Sequence, residues 1–268
     1  MDKKQKDKAL KIAVQAAKMG GAIALKYFRR LKKVSIKEGA GLVSEADHES
    51  EIAIKKCVLS QFSDHKFLGE ETGYTSTKRS ASNALWVVDP LDGTTNYVHG
   101  FPFFCVSIGL EYEGTIQVAV VHAPLLKYTY TASLGNGAFL NGKKISVSST
   151  DRIEDSLLAT GFSYKKDQVF ESELVDFKVF SQQARGVRRA GSAALDMCMV
   201  ASGVFDGFWE RQLAPWDTAA GCLIISEAGG KVTNFAGDPF HFSMDSIAAG
   251  NASIHKTILQ FVQRKRDR

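Results

Sequence analysis

The stretch Trp86-Val87-Val88-Asp89-Pro90-Leu91-Asp92-Gly93-Thr94-Thr95-Asn96 decides how the rest of the chain is read. Leu85 to Val88 is a short apolar run containing a β-branched pair and bounded by turn residues, so it reads as a buried strand. Pro90 lacks an amide donor and biases Asp89 away from helical backbone, which predicts that the strand ends by delivering Asp89 to its tip. Asp92 follows after a tight turn, and Gly93 lets the backbone approach a neighbour closely. Two carboxylates with the Leu91 carbonyl between them suit a hard divalent cation, which takes oxygen ligands. Thr94 and Thr95 add hydroxyls, and the amides of Gly93 and Thr94 could open a helical turn facing an anion. A plain type I turn, with Asp first, Pro second and Gly closing it, accounts for most of the same residues.

Working outward, 268 residues with 44% hydrophobic and 24% charged side chains describe a folded globular chain rather than a disordered one. No apolar run approaches bilayer length. The start, Met1-Asp2-Lys3-Lys4-Gln5-Lys6, leads into an amphipathic helix without a signal-peptide core, and a cytoplasmic protein is expected. Cys57, Cys105, Cys198 and Cys222 are far apart in apolar segments and show no metal or redox spacing, so buried free thiols are expected. The net charge of +5 sits largely in Lys3 to Lys11 and Arg264-Lys265-Arg266, with Arg188-Arg189 internal. It fits solvated helix faces better than a nucleic-acid surface, because no aromatic residues interleave with it, and it would help attract a phosphorylated small molecule.

Ahead of the central stretch, small residues at helical spacing predict a first helix from about Ala9 to Phe28. Lys32 to Ile36 reads as extended, and Gly39-Ala40-Gly41 as a break. Ser44 with Asp47 resembles a capping box opening a second helix to about Phe62, a role that by itself explains Asp47. His65 to Leu68 is a strand candidate with Gly69-Glu70-Glu71-Thr72 at its end. Beyond the stretch, alternating Val106, Ile108 and Leu110, the Glu113-Gly114 turn, Thr115 to His122, Lys127 to Thr131 and the hairpin signal of Gly135 to Gly142 predict an antiparallel sheet.

From residue 151 the rhythm becomes α/β. Helices are expected at Asp167 to Ala184, Ser192 to Ser202, Thr218 to Ala228 and Ala252 to Gln263. Short strands are expected at Leu157 to Ala159, Gly186 to Arg188, Val204 to Trp209, Lys231 to Thr233 and Ile247 to Ala249. An N-terminal α+β half over 1–150 and a C-terminal α/β half over 151–268 follow. In the latter, Pro215-Trp216-Asp217 sets a carboxylate at a helix start, where an N-cap role is the simple reading. Gly191-Ser192-Ala193 opens another helix with amides free for a ligand. Glu210 ends an aromatic-rich strand, and Ser163 follows Gly161-Phe162 at another strand end.

Taken together, Gly69-Glu70-Glu71, Asp89-Pro90-Leu91-Asp92-Gly93-Thr94-Thr95-Asn96 and Trp216-Asp217 with Glu227-Ala228-Gly229-Gly230 closely resemble the inositol monophosphatase family of lithium-sensitive, magnesium-dependent phosphatases. Tyr97-Val98-His99-Gly100-Phe101-Pro102 and Gly135-Asn136-Gly137-Ala138 extend the resemblance over nearly the whole chain. It implies an αβαβα layered sandwich of the inositol monophosphatase/fructose bisphosphatase type, usually a homodimer. It implies two to three Mg2+ ions on Glu70, Asp89, the Leu91 carbonyl, Asp92 and Asp217, with Thr94, Asp47 and Glu70 acting on the nucleophilic water. Asp92, Gly93, Thr94, Gly191, Ser192, Ala193, Glu210 and Asp217 match substrate-contacting positions. Gly41 and Ser44 depart from the family's usual Asp and Thr, and Arg211-Gln212-Leu213 is of bacterial type. The implied reaction is hydrolysis of a phosphate monoester, with myo-inositol monophosphate first. A sugar bisphosphate, histidinol phosphate or a 3′-phosphoadenosine nucleotide is the alternative, and an RNA- or transcription-associated factor is the reading from another class. Converging carboxylates agree with this chemistry, since they repel unless cations neutralise them.

Overall fold

The computed structural model describes residues 1–37, 41–76 and 82–264. The expected break at Gly39-Ala40 and the basic pair Lys265-Arg266 lie outside the described residues. In chain order the elements are α1 (Lys3–Tyr27), β1 (Val34–Lys37), β2 (Gly41–Ser44), α2 (Glu45–Gln61), β3 (Lys66–Gly69), β4 (Gly73–Thr75), β5 (Ala84–Asp92) and α3 (Thr94–Val98). A meander follows, with β6 (Cys105–Tyr112), β7 (Thr115–Ala123), β8 (Tyr128–Ser133), β9 (Ala138–Leu140) and β10 (Lys143–Lys144). The remainder is β11 (Leu157–Thr160), α4 (Gln168–Gln183), β12 (Gly186–Arg188), α5 (Ala193–Ala201), β13 (Gly207–Arg211), α6 (Pro215–Glu227), β14 (Lys231–Thr233), β15 (Ser246–Gly250) and α7 (Ala252–Val262).

Two large sheets organise these elements. The first has eight strands in the order β10-β9-β8-β7-β6-β5-β3-β4, and the second five in the order β12-β11-β13-β15-β14. The first is mixed rather than antiparallel as expected, because β3 runs parallel to β5. A parallel pair requires the chain to cross back before it enters the second strand, and β4, antiparallel to β3, runs in that return direction. Helices α1 and α2 cover one face of the large sheet, α5 and α6 lie between the two sheets, and α4 and α7 cover the far face of the small one. The result is an αβαβα sandwich, a mixed α+β layered fold.

The side-chain period of two assigns each strand face. Trp86, Val88, Val106, Ile108, Leu110, Val118 and Val120 join the cluster beneath α1 and α2 with Ala9, Ala13, Ala16, Ala17 and Ile54. The small-residue stripe of α1 therefore does what its spacing predicts. Cys105, Ala119, Val121 and Tyr130 face the other way, into a cluster with Leu195, Met197, Phe208, Ala220, Ile224 and Ala249. That second cluster joins residues from both halves of the chain, so the middle helices bury apolar surface against two sheets at once, the arrangement that makes a layered core stable.

Several boundaries move. β13 begins at Gly207 rather than Val204, and β4 and β10, of three and two residues, are too short to show an alternating pattern. The four cysteines are free, but Cys57 and Cys222 are half-buried rather than fully buried. At Glu113-Gly114 and Asn141-Gly142 both turn residues have positive φ, 53° and 79°, then 50° and 78°. Those values suit the right-handed twist of the hairpins they close.

Close contact between β6 and α6 depends on Gly109. A Cβ there would stand 3.1 Å from the Cβ of Ala219 and against the helix backbone. Gly109→Val should therefore lower stability by about 1–3 kcal/mol through overpacking, read as a lower urea midpoint with an unchanged denaturant slope.

Candidate active site

The site begins with an irregularity in β5. The strand does not stop at Asp89 but continues through Pro90 to Asp92, and its register against β6 shifts between those two aspartates. Asp89 pairs with Ser107 and Asp92 with Cys105, so Pro90 and Leu91 together oppose the single residue Val106. This is a β-bulge, which tolerates a proline because a bulged residue leaves the ladder. In a regular strand, residues three apart face opposite sides. The extra residue brings Asp89 and Asp92 to the same side, toward α5 and α6, while Leu91 turns into an apolar cluster with Ala24, Ala46, Tyr97 and Phe104. Gly93 then takes the left-handed conformation at φ 93° and opens α3. A Cβ at Gly93 would meet the carbonyl oxygens of Phe103 at 3.0 Å and Gly191 at 3.2 Å.

Asp217 reaches the same point from α6. It is the third residue of the helix rather than its N-cap, which is Ala214, and its carboxylate accepts the Ala214 amide at 2.7 Å. Asp89, Asp92 and Asp217 each offer an oxygen, and those atoms lie within 4.8 Å of one another. Each of the three carboxylates is also held by backbone amides. Asp89 takes the Leu91 N–H at 2.8 Å, and one Asp92 oxygen takes the Ala194 N–H at 2.8 Å and the Ser192 hydroxyl at 2.6 Å. The start of α5, expected to present free amides, thus gives one amide and the Ser192 hydroxyl to Asp92.

Glu70 follows β3, its amide bonded to the Val88 carbonyl at 3.2 Å. Its charge is felt at Asp47, Asp89, Asp92 and Asp217 alike. Asp47 closes the capping box of α2, receiving the Ser44 amide at 2.8 Å and hydroxyl at 2.6 Å on one oxygen. Its other oxygen meets the Thr94 hydroxyl at 3.1 Å, and the same hydroxyl lies 3.0 Å from the Leu91 carbonyl. The cap and the link to Thr94 coexist because a carboxylate has two oxygens.

One cavity of about 400 Å³, the size of a small-molecule site, is lined by Glu70, Asp89, Leu91, Asp92, Gly93, Thr94, Gly191, Ser192, Ala193, Glu210 and Asp217. Asp47 stands behind Thr94 and does not line it. Ser163 lines the same cavity, with its hydroxyl 3.0 Å from the Gln212 side-chain oxygen. The Glu210 carboxylate is buried against Gly161, where a Cβ would overlap it.

Two contributors have roles that the sequence reading did not assign, although Asn96 closes the quoted motif. The Asn96 side-chain amide donates to the carbonyls of Phe103 and Ala190, both at 2.8 Å, tying the loop before α5 to the end of β5. Asp196, a buried acid of α5, lines the cavity with its Oδ1 unpartnered.

Electrostatics follow from burial. Desolvation pushes the Asp89 and Asp217 carboxyls well above the carboxylate range, and neighbouring acids push further: Glu70, then Asp92 and Asp217, on Asp89, and Asp92, then Glu70, on Asp217. Burial carries Asp92 up to about 6 against the opposing bonds from Ser192 and Ala194, and carries Asp47 to about 6 against those from Ser44. Glu210 is raised by burial and then by Asp196. A cluster of oxygen donors that resists ionisation fits a hard divalent cation, whose charge restores the carboxylate form.

A five-layer sandwich with a small acidic cavity where its two sheets meet defines an enzyme of the layered-sandwich phosphatase class. A sequence profile of the Inositol monophosphatase family matches residues 5–266, and the chain belongs to that family. It is 39% identical to "Inositol-1-monophosphatase" of Rhizobium meliloti, over 95% of this chain and 96% of that one. To "Nus factor SuhB" of Pseudomonas aeruginosa it is 39% identical, over 95% of each. The crystal structure of the extragenic suppressor protein suhB from Bartonella henselae superposes with a TM-score of 0.91 at 37% identity, covering 96% of this chain and 99% of that one. No helix among the described residues is long and apolar enough to cross a membrane.

The raised carboxyls set a pH dependence of stability. A folded-state pKa above the ordinary 3.8 for Asp89 means that the cluster is fully tolerated below about pH 4 and loses stability as pH rises toward the folded value. In chelator, Asp89→Asn should therefore match the parent near pH 4 and melt above it by pH 7. Every tenfold weakening of a carboxyl as an acid on folding corresponds to about 1.4 kcal/mol. A melting-temperature difference that stays flat from pH 4 to 7 contradicts the electrostatic account.

Proposed function

We propose that the chain hydrolyses a phosphate monoester in a magnesium-dependent reaction, with myo-inositol monophosphate as the first candidate substrate. The observation that carries this reading is the convergence of Asp89, Asp92 and Asp217 within 4.8 Å in a small cavity that Glu70 and Glu210 also line. Glu70, Asp89, Asp92 and Asp217, with the Leu91 carbonyl, would hold the cations. A divalent cation held there supplies charge for the phosphoryl oxygens and makes a water more acidic.

The chain's own groups account for the rest. Thr94 has one proton and two acceptors in reach, so its oxygen keeps a lone pair for a water while its proton is shared between Asp47 and Leu91. That would orient the water against the phosphorus, with Glu70, which lines the same cavity, also acting on that water. The five-residue α3 opens at Gly93, and Gly93 and Thr94 line the same cavity. Glu210, Gly191 and Ala193, which also line the cavity, would meet the alcohol half of the ester, where a buried carboxyl reads hydroxyl groups. A polyol such as inositol suits those residues, and the relative from Rhizobium meliloti bears the corresponding name. Lithium sensitivity, a homodimer, a cytoplasmic location and two units divided near residue 150 accompany this reading.

The relative named a Nus factor favours a second reading, a role with RNA or the transcription machinery beside hydrolysis. Filter binding to RNA across a salt series tests it. Retention that persists at physiological salt supports that role, and its absence leaves hydrolysis alone.

Thr94→Ala should reduce kcat by about 10²-fold with little change in KM, the pattern of an interaction made in the transition state. Steady-state kinetics with inositol phosphate and magnesium provide the check, and a change confined to KM would remove Thr94 from the chemistry. Glu210→Gln should shift preference across a panel of phosphate esters while sparing an aryl phosphate. If Glu210→Gln instead abolishes all hydrolysis, Glu210 belongs to the chemistry rather than to substrate choice.

A further inference from the structure

Glu51 lies one helical turn beyond Asp47 on α2 and is wholly buried. Its carboxylate meets no lysine or arginine within 4.0 Å among the described residues. Instead it accepts two consecutive backbone amides: Glu71 N–H on Oε2 at 2.8 Å and Thr72 N–H on Oε1 at 2.8 Å. The chain can approach this closely because position 69 is glycine, since a Cβ there would overlap the same carboxylate. The residue between Gly69 and Glu71 is Glu70.

We propose that Glu51 is a positioning residue for the cation site, clamping the two backbone amides that follow Glu70 and packing on Gly69 before it, so that the Glu70 carboxylate is held toward Asp89, Asp92 and Asp217. The inference rests on the cation-site reading above and adds to it a residue outside the cavity.

The two oxygens of a carboxylate suit this place, one for each amide. Two adjacent N–H groups need two acceptor oxygens at fixed spacing, and charge-assisted bonds to both are shorter and stronger than neutral ones. Glutamine offers one oxygen, and its NH2 group would face the other amide as donor against donor. The loop after β3 leaves the sheet at Gly69, and the short β4 that begins at Gly73 is an edge strand. Glu70 thus sits on a connection whose own ladder is brief. Asp47 and Glu51, at i and i+4, lie on one helix face. A single rigid helix therefore orders both Thr94, through Asp47, and Glu70, through the two clamped amides.

The experiment is a double-mutant cycle on the full chain with wild type, Glu51→Gln, Glu70→Gln and the double variant. Mn2+ uptake is read directly from the electron paramagnetic resonance signal of the free ion, beside thermal melting in chelator. Acting through Glu70, Glu51→Gln should weaken Mn2+ binding about tenfold, the size typical for residues that orient a metal ligand. The same change should be near neutral in the Glu70→Gln background. Equal losses in both backgrounds, or a lower melting temperature with Mn2+ binding within twofold of wild type, overturn the proposal. If Glu51→Gln fails to fold, Gly69→Ala presses on the same carboxylate from the strand side and should weaken Mn2+ binding likewise. A folded Gly69→Ala with wild-type Mn2+ affinity overturns it too. Wild-type protein that takes up no Mn2+ overturns the cation-site reading and this inference with it, whereas normal wild-type uptake with an unresponsive Glu51 overturns this inference alone.

Discussion

Mutual repulsion among buried carboxylates is the constraint to which the middle of this molecule answers. Asp89 and Asp92 are buried with Asp217 half-buried beside them, and each is driven toward its protonated form by desolvation and by neighbouring acids. An isolated cluster of this kind opposes folding. The surrounding structure offsets part of that cost by giving each acid a backbone partner: Leu91 for Asp89, Ala194 with Ser192 for Asp92, and Ala214 for Asp217. These bonds also fix where the remaining oxygens lie. The groups that make the cluster tolerable therefore aim it as well, and the residual repulsion is what a divalent cation would relieve.

The layered architecture serves this convergence. The acids come from the bulged end of a central strand in the large sheet, from the first turn of a middle-layer helix and from the loop after a parallel neighbour. No local segment contains more than two of them. Packing α5 and α6 between the sheets places the starts of both helices beside the bulge, where Asp92 docks on the first turn of α5 and Asp217 stands in the first turn of α6. Gly109 and Gly93 let backbones approach where side chains would hold them apart. Asn96 ties the loop from the second half of the chain to the strand from the first.

The family resemblance was legible in the sequence, because its motifs are short, and the layered fold was legible only as what that resemblance implied. The capping box at Ser44 and Asp47, the hairpin turns at Glu113-Gly114 and Asn141-Gly142, and the small-residue stripe of α1 each declare themselves within a few positions. Less was legible in the partnerships. Ser192 and Ala193 read as an open helix start, yet the hydroxyl there belongs to Asp92. The large sheet read as antiparallel, because the parallel pairing of β3 with β5 joins strands separated by a stretch whose sequence carries no helical pattern.

What the sequence by itself determined is which residue types can do the chemistry and which segments take helix or strand, since periodicity, capping and turn geometry act over one to four residues. What only the tertiary structure decided is which of those groups meet. Asp89 and Asp92 are three apart and would face opposite sides of a regular strand. They share a face because the pairing of β5 with β6 forces one extra residue into the ladder. Neither strand alone specifies that shift, because register is a property of two strands and of the helices packed on them. The same holds for Glu51, an ordinary helix glutamate until the chain returns twenty residues later and lays two amides on its carboxylate.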